Sequence, residues 1–149
     1  MSSRNDDHQA EFAAALEELF RAVRRATGRG VPGGDTELTL SQYNLLSALG
    51  ERNPSTVTEI AGAADVAIPT ATRALRSLEE RGFVERRRNS GSDGRLVTVA
   101  LTPAGSDVLA EKRAWVRARQ RAIFDSLTSA QRRTAAQTLR MIADDIHEL

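Results

Sequence analysis

A mainly α-helical fold with one small β-hairpin is what this sequence predicts, on three observations. Apolar residues recur at three- and four-residue steps toward both ends of the chain. Two short helical segments in the middle are joined by a tight connection around Gly62–Val66. Directly after them, two stretches of strand character flank Asn89-Ser90-Gly91-Ser92-Asp93-Gly94, a run made wholly of turn-forming residues.

The elements follow in order. From Glu11 to Thr27 the residues Phe12, Leu16, Leu19, Phe20 and Val23 form one helical stripe. The glycine-rich stretch Gly28–Asp35, which also holds Pro32, ends that helix. A second helix is expected over Ser41–Glu51, with Ser41 as N-cap and Tyr43, Leu45, Leu46 and Leu49 on its buried side. Asn53-Pro54 breaks the chain, and a short helix over Thr56–Ala63 buries Val57, Ile60 and Ala61. The next helix is expected over Pro69–Arg81, with Pro69 at the first position and Gly82 supplying a left-handed cap. Phe83–Arg88 and Arg95–Leu101 read as the hairpin, with Val97, Val99 and Leu101 on one face. Thr102-Pro103 then caps a long helix to about Ser126. Thr128-Ser129 opens a last one along which Ala135, Leu139, Ile142, Ile146 and Leu149 recur.

Two short helices, a tight turn and a hairpin make a winged helix-turn-helix, whose second helix lies in the major groove of DNA. At about 100° per residue, Ala71, Leu75, Leu78 and Gly82 fall on one side of that helix. Opposite them lie Pro69, Arg73, Arg76 and Glu80, flanked by Thr70, Thr72 and Ser77. Arginine offers a planar fork to guanine or phosphate, and threonine a short hydroxyl with a methyl. Between Arg73 and Arg95 there are seven arginines against four acids, whereas the whole chain carries a net charge of only +1. The positive charge is thus concentrated in the segment expected to meet DNA, with Arg86, Arg88 and Arg95 on the hairpin. Glu79, Glu80 and Glu85 are expected to face solvent, away from the groove.

Composition excludes several classes. The chain has no cysteine, hence no disulfide framework, thiolate metal site or thiol switch. No apolar run approaches the roughly 18 residues of a membrane-spanning helix, and Met1–Gln9 lacks the apolar region of a secretory leader. A cytoplasmic protein without membrane contact is expected. The two histidines, His8 and His147, lie near opposite ends, so neither a metal site nor a nucleophile–base set can be assembled from them. Gly28–Gly34 lacks the strand and the Lys-Ser/Thr of a phosphate-binding loop. Neither an enzyme nor a cofactor-carrying protein is expected.

The run Leu78-Glu79-Glu80-Arg81-Gly82-Phe83-Val84-Glu85-Arg86, with Asp93-Gly94-Arg95 and Leu101-Thr102-Pro103-Ala104-Gly105, resembles the MarR family of bacterial transcriptional regulators. The Thr72-Arg73 pair fits the same pattern. The resemblance implies a homodimer whose first and last two helices form the interface, and wings that reach flanking minor grooves. It makes Arg95 the wing-tip arginine and Asp93 the carboxylate orienting it, with Thr70, Thr72, Arg73 and Arg76 facing the groove. One departure concerns Ile68, which stands where the family often has a capping Ser or Thr. The resemblance further implies a small aromatic effector and a ligand-responsive repressor, with Phe12, Tyr43 and Trp115 (and His8) as candidates to line its pocket.

Residues 1–37 and 102–149 are therefore expected to form a helical dimerisation region, and 38–101 the DNA-binding lobe. The terminal helices carry more apolar residues than a lone winged helix could cover. Phe12, Leu16, Leu19, Phe20, Leu139, Ile142 and Ile146 are expected to meet their equivalents across a two-fold axis. Such a dimer would bind a pseudo-palindromic operator in double-stranded DNA. The alternative is a winged-helix module for protein interaction or non-specific DNA coating, without effector response. Near-neutral net charge disfavours a coat protein, and wing arginines without anionic partners disfavour a protein-interaction role.

Overall fold

The computed structural model describes residues 2–88 and 96–147, with side chains for 5–88 and 96–146. Its elements are α1 (Ser2–Thr27), α2 (Leu40–Glu51), α3 (Val57–Ala63), α4 (Ile68–Glu80), β1 (Val84–Arg88), β2 (Val97–Leu101), α5 (Pro103–Ser126) and α6 (Ser129–His147). The winged helix-turn-helix order expected from the sequence is the order found.

Several boundaries differ from expectation: α3 begins at Val57 rather than Thr56, α4 ends at Glu80 rather than Arg81, and the strands begin at Val84 and Val97 rather than Phe83 and Arg95. Helix α1 begins at Ser2 rather than Glu11. Residues 2–10 contain neither glycine nor proline, and extending an existing helix is far easier than nucleating one. Helix α2 is capped by Thr39, not Ser41. The Gln42 N–H donates to the Thr39 hydroxyl at 3.2 Å, and the Thr39 N–H to the Gln42 side chain at 3.0 Å. Ser41 has no Glu or Gln three residues on to complete such a box. Helix α4 starts at Ile68, so Pro69 is its second residue.

The core lies where α2, α3, α4 and the hairpin meet. Leu45, Leu46 and Leu49 of α2 pack with Ile60, Ala71, Leu75, Leu78, Val84 and Val99, joined by Val108 and Leu109 of α5. Thr56 caps α3 with a second reciprocal box to Glu59. Strands β1 and β2 pair antiparallel, Val84 opposite Leu101 and Arg88 opposite Val97. Ser55 and Val99 exchange both backbone hydrogen bonds, which ties the entry to α3 onto the hairpin.

The junction of α4 with the hairpin is fixed by two glycines. Gly82 takes φ +76°. Its N–H donates to Glu79 O, while the Phe83 N–H reaches back to Leu78 O, both at 2.9 Å. These two bonds close α4 in the manner a left-handed glycine allows. The Thr102 hydroxyl donates to Gly82 O at 2.6 Å and accepts from the Gly105 N–H at 3.1 Å. Gly105 passes so close to the Phe83 carbonyl that a Cβ there would stand 1.9 Å from its oxygen. The Leu-Thr-x-x-Gly pattern is therefore a clamp joining the end of α4, the base of the hairpin and the start of α5.

The chain falls into two compact units, residues 1–112 and 113–149. In the second, Arg132 of α6 donates to the carbonyls of Phe124 and Asp125 and lies over the Phe124 ring. Thr128 caps α6, accepting from the Gln131 N–H at 3.3 Å. No described helix is long and apolar enough to cross a membrane.

Candidate nucleic-acid interface

Helix α4 divides as its sequence predicts. Ala71, Leu75 and Leu78 are buried, while Pro69, Thr70, Arg73 and Arg76 are exposed. Ser77 is drawn inward, accepting from the Gln42 amide at 3.3 Å, which helps fix α4 against α2. Thr72 is half-buried, and its hydroxyl donates to Ile68 O at 2.9 Å. It therefore offers outward only an acceptor lone pair and its methyl. At the start of the helix the N-cap is Ala67, which makes no side-chain capping bond. The first turn of α4 therefore receives no acceptor from its capping residue.

On the hairpin, alternation puts Val84, Arg86 and Arg88 on one face of β1 and Glu85 and Arg87 on the other. Val84 is in the core and Arg86 Nε reaches Glu79 Oε2 on α4 at 3.1 Å. The face carrying Arg86 and Arg88 is therefore the one turned toward α4. Glu79 and Glu85 do not simply face water as expected: Glu79 holds Arg86, and Glu85 holds Arg87. The register brings Glu79 within reach of β1, which helix periodicity alone does not reveal.

The arginines of this region thus separate into two groups. Arg81 donates to Glu37 O at 2.8 Å and stacks over Phe83, its guanidinium carbon 5.0 Å from the ring centre. Arg86 and Arg87 are in ion pairs. Arg73, Arg76 and Arg88 are exposed and make no side-chain hydrogen bond or ion pair among the described residues. Exposed ion pairs such as Arg86–Glu79 contribute at most about 1 kcal/mol, so Arg86 can exchange its partner for a phosphate at small cost. Asp93 and Arg95, the expected wing-tip pair, lie outside the described residues.

Two titratable groups support the scaffold. At the start of α3, the Thr56 N–H and hydroxyl both donate to Glu59, and these bonds hold its carboxyl below the usual range. Lys112, the only lysine of the chain, is 1% exposed, and its ammonium donates to Gly33 O. Burial pushes its pKa down; Glu111 and Glu37 work against that shift and Arg81 adds to it. Sequence reading missed this contact. The one signal was a single lysine in an arginine-rich chain, where a compact ammonium fits a site that a guanidinium would not.

The residues expected at a dimer contact are largely uncovered in the single chain. Phe12, Leu19, Phe20, Leu139 and Ile146 are exposed, Phe12 at 53% and Leu139 at 57%, while Leu16 and Ile142 are half-buried. Of the residues expected to line an effector pocket, Tyr43 is half-buried against the core, and Phe12 and Trp115 are exposed. A cleft of about 360 Å³ beside α3 is lined instead by residues including Glu51, Arg52, Ser55 and Glu59. Another, along α5, is lined by Arg117, Gln120, Arg121, Phe124 and Asp125.

The model of the MarR family matches residues 38–97, the stretch from Leu38 to the first residue of β2. YpoP, an HTH-type transcriptional regulator of Bacillus subtilis, is 30% identical over 99 residues, 66% of this chain and 67% of its own. Among solved structures, Streptococcus pneumoniae FabT in complex with DNA superposes with a TM-score of 0.71 at 18% identity, covering 95% of this chain and 97% of its own. Bordetella bronchiseptica BpsR, whose DNA binding is regulated by 6-hydroxynicotinic acid, superposes with a TM-score of 0.67 at 23% identity, covering 87% and 98%. Together with the clamp at Thr102 and Gly105 and the exposed arginine face of α4, these likenesses place the chain in the MarR family of winged-helix transcriptional regulators.

Proposed function

We propose that this regulator binds a pseudo-palindromic operator as a homodimer and represses transcription until a small aromatic effector releases it. The observation that carries the DNA contact is the unpaired state, among the described residues, of Arg73, Arg76 and Arg88, beside the engaged Arg81, Arg86 and Arg87. Three exposed guanidinium groups without partners among the described residues, two of them on the outer face of a recognition helix, suit phosphate and guanine edges. Pro69, Thr70 and Thr72 complete the groove-facing set, and the family resemblance adds Arg95 and Asp93 to it.

Dimerisation is supported by the exposed apolar stripe of α1 and the apolar positions of α6. Two copies would present two recognition helices to half-sites about one helical turn apart. Effector response is proposed by likeness to BpsR, and it requires a ligand with different affinities for the DNA-bound and released states.

Selection of bound duplexes from a random pool by the full-length protein tests the reading. The expected result is an inverted repeat bound by two chains per duplex, with affinity falling steeply as salt rises. Equal affinity for the recovered and a scrambled duplex at physiological salt would leave only the coating alternative. For the wing, Arg95→Ala is expected to flatten the slope of log K against log salt by about one unit per contacting arginine.

A further inference from the structure

Helix α4 exposes one large apolar side chain among the described residues, Ile68, at 50%. It is the first residue of the helix, adjacent to exposed Pro69 and Thr70 and five residues before Arg73. It takes no part in the buried cluster, nor is it among the half-buried residues packed against that cluster. Packing therefore does not account for it. Nor does helix formation, since the preceding N-cap is Ala67, which makes no capping bond, and a β-branched residue is a weak helix former. A Ser or Thr cap in this turn would stabilise the helix; the sequence instead has two consecutive apolar residues, Ala67 and Ile68.

The N-terminal turn of a recognition helix is the part that meets base edges. Those edges carry a single apolar group in the major groove, the C5-methyl of thymine. We infer that Ile68 is a specificity-determining residue that packs on a thymine methyl in each half-site, beside the polar contacts of Arg73 and Arg76. This rests on the DNA-binding reading above. It adds that part of sequence recognition is hydrophobic, and so insensitive to salt.

The test uses duplexes recovered by selection with the full-length protein. Each thymine of the half-sites is replaced by deoxyuridine, which removes the methyl and leaves the pairing edge unchanged. The expected result is a loss of about fourfold at one thymine per half-site, the worth of one buried methyl, and about tenfold or more when both half-sites are changed. Ile68→Ala should lose a similar amount on the thymine duplex and be indifferent to uracil. Ile68→Val, which keeps the branched carbon, should retain the preference, and circular dichroism checks that all variants fold. Wild-type protein indifferent to uracil at every position overturns the inference, as does an Ile68→Ala variant that keeps the full uracil penalty, because the methyl would then act through DNA shape. A wild-type protein that does not distinguish its selected duplex from a scrambled one overturns the DNA reading itself, and this inference with it.

Discussion

Arg86 Nε stands 3.1 Å from Glu79 Oε2, so the first strand of the wing is pinned to the last turn of α4. The pair holds hairpin and recognition helix in one orientation, but it also neutralises a guanidinium on the face turned toward α4. Glu79→Gln should therefore tighten duplex binding several-fold and steepen the salt dependence by about one unit, as Arg86 turns to phosphate. Salt titrations of binding measured by fluorescence anisotropy would show this. Weaker binding by the variant would mean that the pair acts by orienting the wing.

Engaged and free arginines should respond differently to truncation. Arg73→Ala and Arg76→Ala are expected to weaken duplex binding by about tenfold or more each while leaving the unfolding midpoint unchanged. Arg81→Ala should do the reverse. Losing the bond to Glu37 O and the stack on Phe83 should cost about 1–2 kcal/mol in urea unfolding, with a smaller effect on affinity.

Gly105→Ala tests the clamp. With the new Cβ 1.9 Å from the Phe83 carbonyl, backbone must move at the junction of α4, the hairpin and α5. A loss of about 3 kcal/mol or more is expected in urea unfolding. Gly62→Ala, where a Cβ meets nothing within 4 Å, is the matched control and should be neutral or slightly stabilising.

The two shifted groups predict stability that rises with pH in two separate windows. Glu59 has its folded pKa depressed by the bonds from Thr56, so its contribution is present above the ordinary carboxylate value of 4.5 and is lost as pH falls through the depressed one. Glu59→Gln should flatten the acid limb of the stability curve. Lys112 also has a depressed folded pKa, so here too the unfolded chain binds the extra proton. Stability relative to Lys112→Met should therefore rise as pH climbs from the depressed value toward 10.5. Urea midpoints across pH 3 to about 10 would register both slopes.

Charging the exposed apolar stripes should separate subunits. Phe20→Glu or Leu139→Asp is expected to yield monomers in sedimentation and to weaken operator binding by orders of magnitude, since a single recognition helix loses the linked second contact. A variant that stays dimeric would move the interface away from these positions.

Much was legible in the sequence because it is local. The inner and outer faces of α4, the glycine that ends it and the threonine that caps α5 follow from periodicity and from single-residue geometry. The α2 cap was expected at Ser41 and is Thr39, because Gln42 three residues on completes a box that Ser41 lacks. The sequence by itself thus determined a winged helix-turn-helix with arginines on the outer face of its second helix. Tertiary structure alone decided which charges are free. Whether Arg86 meets Glu79, Arg81 meets Glu37 or Lys112 meets Gly33 depends on how separate elements lie against one another. A side chain's partner across space is set by packing and register, and charge counted along the chain carries no record of either.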